Sequence, residues 1–303
     1  AGAPQVSIIP TALKNTHKPE NISLALPILN RYCLKQIKVL LLGSIMKIHQ
    51  IYTASELRNF TYLIELSDGS AISIDPWDEG VVNSLLDEKQ LTLKTIINTH
   101  EHWDHIQGNR ALVSEHACEV WAHVNGQGKI PGLSRTLQAG EKIALDSGVE
   151  LEVLDTPGHT FAHLCFLLLD KSQARAVFTG DTLFNAGVGH CRSGDARVLY
   201  QTISKQFHSL PDDVIVYPGH EYLENNLRFT LSLEPDNRDA QSWLERAVSS
   251  DPTVAPITTC IGDERLFNSF FRLDSPSIRQ RLDCQSASEE QVFITLRSLR
   301  DSW

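Results

Sequence analysis

The sequence lacks closely spaced cysteine pairs: its 6 cysteines are scattered along 303 residues, and no two of them form a CxxC motif. In a chain of this length, such spacing predicts reduced thiols and a cytoplasmic protein rather than a disulfide scaffold. The sequence also has no apolar run near the roughly 18 residues that suggest a membrane span. We therefore expect neither a disulfide framework nor a membrane partner.

Positive charge is scarce as well. There are 27 Lys and Arg residues against 37 Asp and Glu residues, so the formal net charge is -10. This balance argues against a nucleic-acid partner, which a broad basic surface would attract. A hydrophobic content of 42% is typical of a globular protein. The length suffices for one large domain or two smaller ones and leaves the oligomeric state open.

Methionine occurs only once, at Met46, and the residues ahead of it differ from the rest of the chain. Residues 1–45 carry five basic residues and one acidic residue, whereas the remainder is acidic. An acid-poor basic leader is typical of a targeting segment, but this one lacks the arginine and serine richness of a transit peptide. We therefore treat residues 1–45 as an N-terminal extension of unknown role.

From Met46 onward, the hydrophobic pattern predicts alternating strands and helices. The apolar runs 62–66 and 71–74 flank a turn-forming segment and predict a β-hairpin. Residues 80–90 have helical spacing, with Val81, Leu85 and Leu86 on one face. Further strands are predicted at 94–98, 149–153, 163–169, 174–179 and 214–217.

Beyond His220 the pattern changes to helices. Residues 223–233 and 240–248 have helical spacing, and Ser286 with Glu289 forms a capping box ahead of a third helix. The chain is therefore predicted to contain an α/β domain over 46–220 and a helical C-terminal region over 221–303.

A cluster of histidines follows the strand predicted at 94–98. The segment 100–105 reads His-Glu-His-Trp-Asp-His, and three later polar residues, His159, Asp181 and His220, each follow another predicted strand. Imidazole and carboxylate are the usual ligands of zinc, iron and manganese. Because four strand ends can meet at one edge of a sheet, we predict that seven side chains bind metal: His100, His102, Asp104, His105, His159, Asp181 and His220.

This HxHxDH motif and the three later residues resemble the metallo-β-lactamase superfamily. The resemblance implies an αββα sandwich of the α/β class with its site at one edge. It also implies two divalent metal ions, with zinc as the first expectation and iron or manganese as alternatives. One ion would be held by His100, His102 and His159, and the other by Asp104, His105 and His220. Asp181 would bridge them.

Other segments resemble the glyoxalase II (hydroxyacylglutathione hydrolase) branch of that superfamily. They are 178–184 (Phe-Thr-Gly-Asp-Thr-Leu-Phe), 217–229 (Tyr-Pro-Gly-His-Glu-Tyr and onward) and 268–272 (Asn-Ser-Phe-Phe-Arg). The resemblance implies hydrolysis of a small-molecule glutathione thioester such as S-lactoylglutathione by metal-activated hydroxide. Asp104 and Asp181 would be catalytic, with Asp104 orienting the hydroxide. Residues 221–303 would bind substrate.

Only some of the residue types that bind substrate in this branch are present in the sequence. His190 and Arg192 stand where the branch has a lysine and a tyrosine, while Tyr222 and Arg272 keep a tyrosine and an arginine. Ser275 replaces a lysine. The resemblance therefore implies substrate binding by His190, Arg192, Tyr222 and Arg272, with the two arginines available to pair with the carboxylates of glutathione.

Several alternatives stay open at this point. The same fold could hydrolyse another ester, a lactone, a β-lactam or a phosphodiester, or could serve a mononuclear-iron persulfide dioxygenase. A metal- or partner-binding protein without turnover is a further alternative. His163, four residues after His159, is interpreted as a structural histidine beside the site rather than as an eighth ligand.

Overall fold

Two six-stranded sheets dominate the computed structural model of the chain, which describes residues 46–303. The predicted extension 1–45 lies outside the described residues. In spatial order, the first sheet consists of β1 (Lys47–Tyr52), β2 (Phe60–Glu65), β3 (Ser70–Ile74), β4 (Thr92–Ile97), β5 (Glu119–His123) and β6 (Leu133–Leu137). The predicted hairpin is confirmed, since β2 and β3 pair antiparallel, and the strands from β3 to β6 run parallel.

The second sheet has the spatial order β14-β13-β10-β9-β8-β7. Its strands are β7 (Lys142–Asp146), β8 (Val149–Asp155), β9 (Leu164–Asp170), β10 (Gln173–Gly180), β13 (Ile215–Pro218) and β14 (Thr259–Cys260). Between β10 and β13, a small hairpin is formed by β11 (Leu183–Phe184) and β12 (Gly187–Val188). The strands predicted from apolar runs in this part of the chain are thus present.

Nine α-helices lie within residues 46–303. They are α1 (Glu79–Lys89), α2 (Trp103–Ile106), α3 (Asn109–His116), α4 (Ala196–Gln206), α5 (Leu223–Leu233), α6 (Arg238–Val248), α7 (Ile261–Phe267), α8 (Pro276–Arg281) and α9 (Glu289–Ser302). None of them is long and apolar enough to cross a membrane. The cap predicted for α9 was wrong by two residues: a turn from Cys284 to Ala287 closes first, and Ser288 caps the helix by accepting from the Gln291 N–H.

The layers pack as an αββα sandwich, which confirms the predicted fold class. Strand β9 shows how, because it is buried on both faces. Phe166 and its alternate neighbours join Phe60 and Ile74 of the first sheet in the central core. Leu167 and its alternate neighbours pack instead on helices α4 and α9. This double burial explains why β9 reads as a continuous apolar run rather than an alternating one.

The strand directions bring several chain segments to one edge. Strands β3 and β4 are parallel, as are β10 and β13, and β8 runs in the same direction as β10 because both pair antiparallel with β9. The carboxyl ends of these strands are followed by Asp75, His100, His159, Asp181 and His220. These five side chains can therefore meet although they are far apart in sequence.

Candidate metal centre

The HxHxDH segment supplies side chains to two neighbouring groups of ligands because the backbone changes conformation within it. His102 is extended and caps the one-turn helix α2, which then presents Asp104 and His105. The His105 N–H donates to the carbonyl of His102 at 3.0 Å. His100 and His102 thus lie before the turn, and Asp104 and His105 lie inside it.

The first group consists of His100, His102 and His159, whose candidate ligand atoms all lie within 4.8 Å of one another. His102 Nδ1 lies 3.0 Å from His100 Nε2 and 3.0 Å from His159 Nε2. His100 and His159 are fully buried, whereas His102 is half-buried. The structure therefore brings together the three residues predicted to hold one ion.

The second group consists of Asp104, His105 and His220, again with candidate ligand atoms within 4.8 Å. The Nε2 atoms of His105 and His220 are 3.2 Å apart. Asp104 Oδ2 lies 3.4 Å from His220 Nε2 and 3.5 Å from His105 Nε2. These three residues are also the ones predicted to hold the other ion.

Asp181 lies between the two groups. Its Oδ2 is 3.4 Å from His159 Nε2, and its Oδ1 is 3.2 Å from His220 Nε2 and 3.3 Å from His105 Nε2. Oδ1 is buried and has no hydrogen-bond partner among residues 46–303. A buried carboxylate oxygen without a partner carries a large desolvation penalty, and a cation between the two groups would offset it.

The outer hydrogen bonds of the imidazoles show which nitrogen faces the centre with a lone pair. His159 Nδ1 bonds to the carbonyl of His190 at 2.7 Å, and His220 Nδ1 bonds to the carbonyl of Leu57 at 2.8 Å. A carbonyl oxygen only accepts, so both Nδ1 atoms carry the proton. His105 Nδ1 donates in the same way to a carboxylate 2.9 Å away. In the neutral form of all three rings, Nε2 is left with a lone pair.

The same reasoning applies to His100. The Thr99 hydroxyl donates to the carboxylate of Asp75 at 2.6 Å, so it accepts from His100 Nδ1, 3.0 Å away. Lone pairs of several imidazoles and an ionised carboxylate therefore face one another across contacts of about 3 Å, with no proton between them in these tautomers. This donor set fits divalent metal ions, as neutral imidazoles and carboxylates are their usual ligands.

The protonation preferences of the site agree with this fit. Burial, together with the nearby His105 imidazole, lowers the pKa of His100 well below its usual value, and burial lowers the pKa of His159 to about 4. Burial opposes ionisation of Asp181, but the imidazoles of His220 and His105 hold its pKa well below its usual range. Burial also opposes a charge on His105, but neighbouring carboxylates raise its pKa. A metal would displace that proton.

Sequence reasoning missed Asp75 and the role of Asn59. Asp75 Oδ1 accepts from the Thr99 N–H at 2.7 Å, and its Oδ2 accepts from the Thr99 hydroxyl and from His105 Nδ1. Asn59 donates to Asp104 Oδ2 at 3.0 Å. Asp75 could have been found, because it directly follows β3 just as the histidine cluster follows β4.

His163 lies beside the centre with both nitrogens engaged. Its Nε2 accepts from the Asp181 N–H at 3.1 Å, and its Nδ1 lies 2.9 Å from the Thr156 hydroxyl and 3.1 Å from the Thr182 hydroxyl. This arrangement fits the interpretation of His163 as a structural histidine rather than an eighth ligand. It fixes the backbone from which the Asp181 carboxylate extends.

Gly219 is the residue that allows the ends of β10 and β13 to approach closely. A Cβ at this position would lie 2.5 Å from Asp181 Oδ1 and 2.8 Å from the His105 ring. Its N–H donates to the Gly180 carbonyl at 2.8 Å. A side chain here would collide with the Asp181 carboxylate and the His105 ring.

Two family models together match most of the chain. The model of the metallo-β-lactamase superfamily matches residues 55–220. The chain belongs to this superfamily. The model described as the hydroxyacylglutathione hydrolase C-terminus matches residues 221–303. Membership of the superfamily, together with the two ligand groups, implies that this chain binds divalent metal ions.

Relatives identify the branch within the superfamily. The chain is 43% identical over 266 residues to the hydroxyacylglutathione hydrolase of Polaromonas sp., a match that covers 85% of this chain and 100% of the relative. It is 42% identical to the hydroxyacylglutathione hydrolase of Nitrosococcus oceani, with the same coverage. A protein of Arabidopsis thaliana named cytoplasmic hydroxyacylglutathione hydrolase is 33% identical, over 81% of this chain and 95% of its own. The predicted glyoxalase II branch is confirmed.

Solved structures support the fold of this superfamily. The crystal structure of ETHE1 from Myxococcus xanthus is 27% identical, with a TM-score of 0.60, over 84% of this chain and 91% of its own. A metallo-β-lactamase from Staphylococcus aureus is 22% identical, also with a TM-score of 0.60, over 85% of this chain and 72% of its own.

Two of the residues predicted to bind substrate, His190 and Tyr222, contact histidines of the metal centre, and Arg192 lies on the same loop as His190. The His190 ring lies 4.7 Å from that of His159, and burial lowers its pKa. Arg192 follows and is exposed, and its guanidinium has no hydrogen-bond or ion-pair partner within residues 46–303. Tyr222 stacks on His220 with ring centroids 5.0 Å apart and planes 1° apart.

Arg272, the fourth residue predicted to bind substrate, has a protein partner. Its Nε and Nη2 donate to the two carboxylate oxygens of Glu234 at 2.8 and 2.9 Å. The Ser275 hydroxyl donates to the same carboxylate at 2.5 Å. One edge of the Arg272 guanidinium is therefore already occupied by a carboxylate of this chain.

Sequence reasoning also missed two arginines on helix α9. Arg297 is buried, and its Nη1 donates to the Val188 carbonyl at 2.8 Å, so it holds the hairpin that leads to His190. Arg300 is half-buried, donates to Asn226 Oδ1 at 3.3 Å and lies over the Trp303 ring. It forms no ion pair within the described residues. The sequence signal was a pair of arginines three apart on one face of a helix.

Proposed function

We propose that this protein is a binuclear metal-dependent hydrolase that cleaves a glutathione thioester of the S-lactoylglutathione type. The observation that carries the proposal is the pair of three-residue ligand groups on either side of the unpartnered Asp181 carboxylate. The close relatives named hydroxyacylglutathione hydrolase support the thioester as substrate, since the match to one of them covers its whole length.

The predicted ligand roles fit this arrangement. His100, His102 and His159 would hold one ion, Asp104, His105 and His220 the other, and Asp181 would bridge them, with zinc as the first expectation and iron or manganese as alternatives. When bound, two such ions supply a nucleophilic water near neutral pH and polarise the carbonyl. The metal identity and the number of ions belong to the proposal.

Asp104 is suited to orient the attacking water. Asn59 donates to its Oδ2 and thereby fixes the carboxylate plane. Asp104 is 6% exposed, so this carboxylate lies largely out of bulk water. The leaving thiolate needs no strong acid, because a cysteine-type thiol has a pKa near ~8.5. Asp104 and Asp181 are therefore the catalytic residues we propose.

Recognition of glutathione requires cations for its carboxylates. Arg192 is exposed and lacks a partner among the described residues, and Arg300 is half-buried without a counterion there. A half-buried guanidinium gains more from an anionic ligand than a solvated one does, because its charge is partly desolvated. We propose that Arg192 and Arg300 bind these carboxylates, with His190 and Tyr222 lining the site. A contact from Arg272, which pairs with Glu234, stays a prediction.

The experiment is a comparison of kcat/KM on S-lactoylglutathione, the lactoyl thioester of a small neutral thiol, a lactone and a β-lactam, alongside metal analysis. We expect two metal ions per chain and a clear preference for the glutathione thioester. Equal rates on both thioesters would overturn the glutathione assignment. Turnover of only the β-lactam or lactone would replace the substrate class, and oxygen uptake with glutathione persulfide would favour a dioxygenase.

Two coarser expectations accompany this function. We propose an α/β catalytic domain over 46–220 and a substrate-binding helical region over 221–303, a division supported by the two family models, which meet between residues 220 and 221. We also propose a cytoplasmic location, on the basis of the cysteine spacing. The name of the Arabidopsis thaliana relative includes the word cytoplasmic.

A further inference from the structure

One loop holds two of the three imidazoles of the first ligand group from outside. The loop runs from the end of β12 to the start of α4 and contains His190 and Ser193. The His190 carbonyl accepts from His159 Nδ1 at 2.7 Å, and the Ser193 hydroxyl lies 3.2 Å from His102 Nε2. The outer hydrogen bond of His102 is therefore made by a side chain of this loop.

Backbone contacts place Ser193 at this distance. Ser193 pairs with Thr160 in an isolated parallel bridge, and the Asp195 N–H donates to the Gly158 carbonyl at 2.9 Å. Gly194 approaches Gly158 so closely that any Cβ there would collide with the Gly158 carbonyl. The loop is thus pinned to the turn that carries His159, and the serine hydroxyl is held beside His102.

His102 is also the least securely held of the five imidazoles. The outer nitrogens of the other four bond to a backbone carbonyl, to the Asp75 carboxylate or to the buried Thr99 hydroxyl, at 2.7 to 3.0 Å. His102 is half-buried, and its partner Ser193 is exposed. Loss of this single contact would free the ring to exchange tautomers or rotate, because no second protein group bonds its Nε2 within the described residues.

We propose that Ser193 is a positioning residue for the first metal ion: its hydroxyl accepts from His102 Nε2–H and so keeps the Nδ1 lone pair directed at the centre. The inference rests on the proposed metal centre but not on the substrate. Groups that orient a metal-binding histidine typically contribute about 10- to 100-fold to metal affinity. The lower end suits a neutral, exposed hydroxyl.

The test measures metal affinity by competition with a chromophoric chelator, with zinc alone and no substrate. His220→Ala removes a ligand of the second group, so the first group can be titrated in that background. There we expect Ser193→Ala to weaken zinc binding about 10-fold and Ser193→Thr, which keeps the hydroxyl, to match the parent. Ser209→Ala, at an exposed serine with no side-chain hydrogen bond within residues 46–303, is the matched control and should change nothing.

Three results would overturn the proposal. They are unchanged affinity in Ser193→Ala, a loss in Ser193→Thr equal to that in Ser193→Ala, and an equal loss at the second group when Ser193→Ala is titrated with His220 intact. Thermal unfolding of the metal-free variants checks that the fold is retained, which an exposed position favours. Failure to hydrolyse S-lactoylglutathione would contradict the proposed function and leave this titration unaffected.

Discussion

Replacement of Asp75 by asparagine tests whether a residue that binds no substrate controls the second ligand group. The Asp75 carboxylate accepts three hydrogen bonds, two from Thr99 and one from His105 Nδ1, and is only 3% exposed. Asparagine has the same shape but presents an NH2 group in place of one oxygen. A donor would then face either the Thr99 N–H or the protonated nitrogen of His105.

These contacts set the expected loss of stability and of zinc affinity in Asp75→Asn. A hydrogen bond to a charged group contributes about 1.5 to 3 kcal/mol, and a buried unsatisfied donor costs a similar amount. We therefore expect Asp75→Asn to lower the free energy of unfolding of the metal-free protein by about 2 to 3 kcal/mol. Because His105 loses the carboxylate that orients it, zinc affinity of the second group should fall about 10- to 100-fold.

The assay combines urea unfolding of metal-free protein with chelator competition, using Asp213→Asn as a matched control at an exposed aspartate. The control should behave as the wild type in both measurements. A variant that unfolds at lower urea but keeps wild-type affinity for both ions would show that Asp75 only stabilises the fold. Unchanged stability and unchanged affinity would refute the hydrogen-bond reasoning altogether.

Two further predictions concern residues outside the ligand groups. Arg300→Gln should raise KM for S-lactoylglutathione about 10- to 100-fold, which corresponds to the loss of one charge-assisted hydrogen bond, and should leave kcat nearly unchanged. Arg110→Gln, at an exposed arginine, should leave KM unchanged. Steady-state kinetics measure both parameters. Burial raises the pKa of Glu264 from 4.5 to about 8. Between these two pH values the folded state retains a proton that the unfolded state loses. The free energy of unfolding should therefore fall as pH rises across this range, by up to about 1.4 kcal/mol per pH unit. Glu264→Gln should remove this slope in urea titrations with saturating zinc, and an equal slope would exclude Glu264 as its source.

The seven candidate ligands could be placed from the sequence because strand ends are readable. Apolar runs such as 214–217 end in proline and glycine, and the polar residue that follows must emerge at the sheet edge. The strand directions, which the sequence does not contain, then decide that His159 meets His102 and that His220 meets His105, rather than that these residues lie at opposite edges. All four strand ends share one edge, so the structure brings the seven side chains together, and their roles as metal ligands stay a prediction.

The outer hydrogen bonds of the candidate ligands were harder to predict from the sequence. Asp75 obeys the same strand-end rule as His100 but was overlooked, since a single aspartate before a proline reads as a turn residue. Asn59 lies 45 residues from Asp104 in sequence, and nothing in its neighbourhood marks it as a partner. Such contacts are set by the packing of whole sheets, so local spacing cannot indicate them.

Substrate recognition in the helical region depends on which charges are already paired. Arg272 ends the family-like segment 268–272 and Ser275 follows three residues later, yet both contact Glu234, a residue about 40 positions earlier that no local motif connects to them. Arg300, in a segment without an obvious motif, keeps a guanidinium without a counterion among the described residues. Burial of an unpaired charge is costly, and an anionic ligand would offset that cost. Arg300 is therefore better suited to bind an anionic ligand than Arg272, whose charge Glu234 already neutralises. The pairing in the folded chain therefore favours α9 over the 268–272 segment as the source of the carboxylate contact.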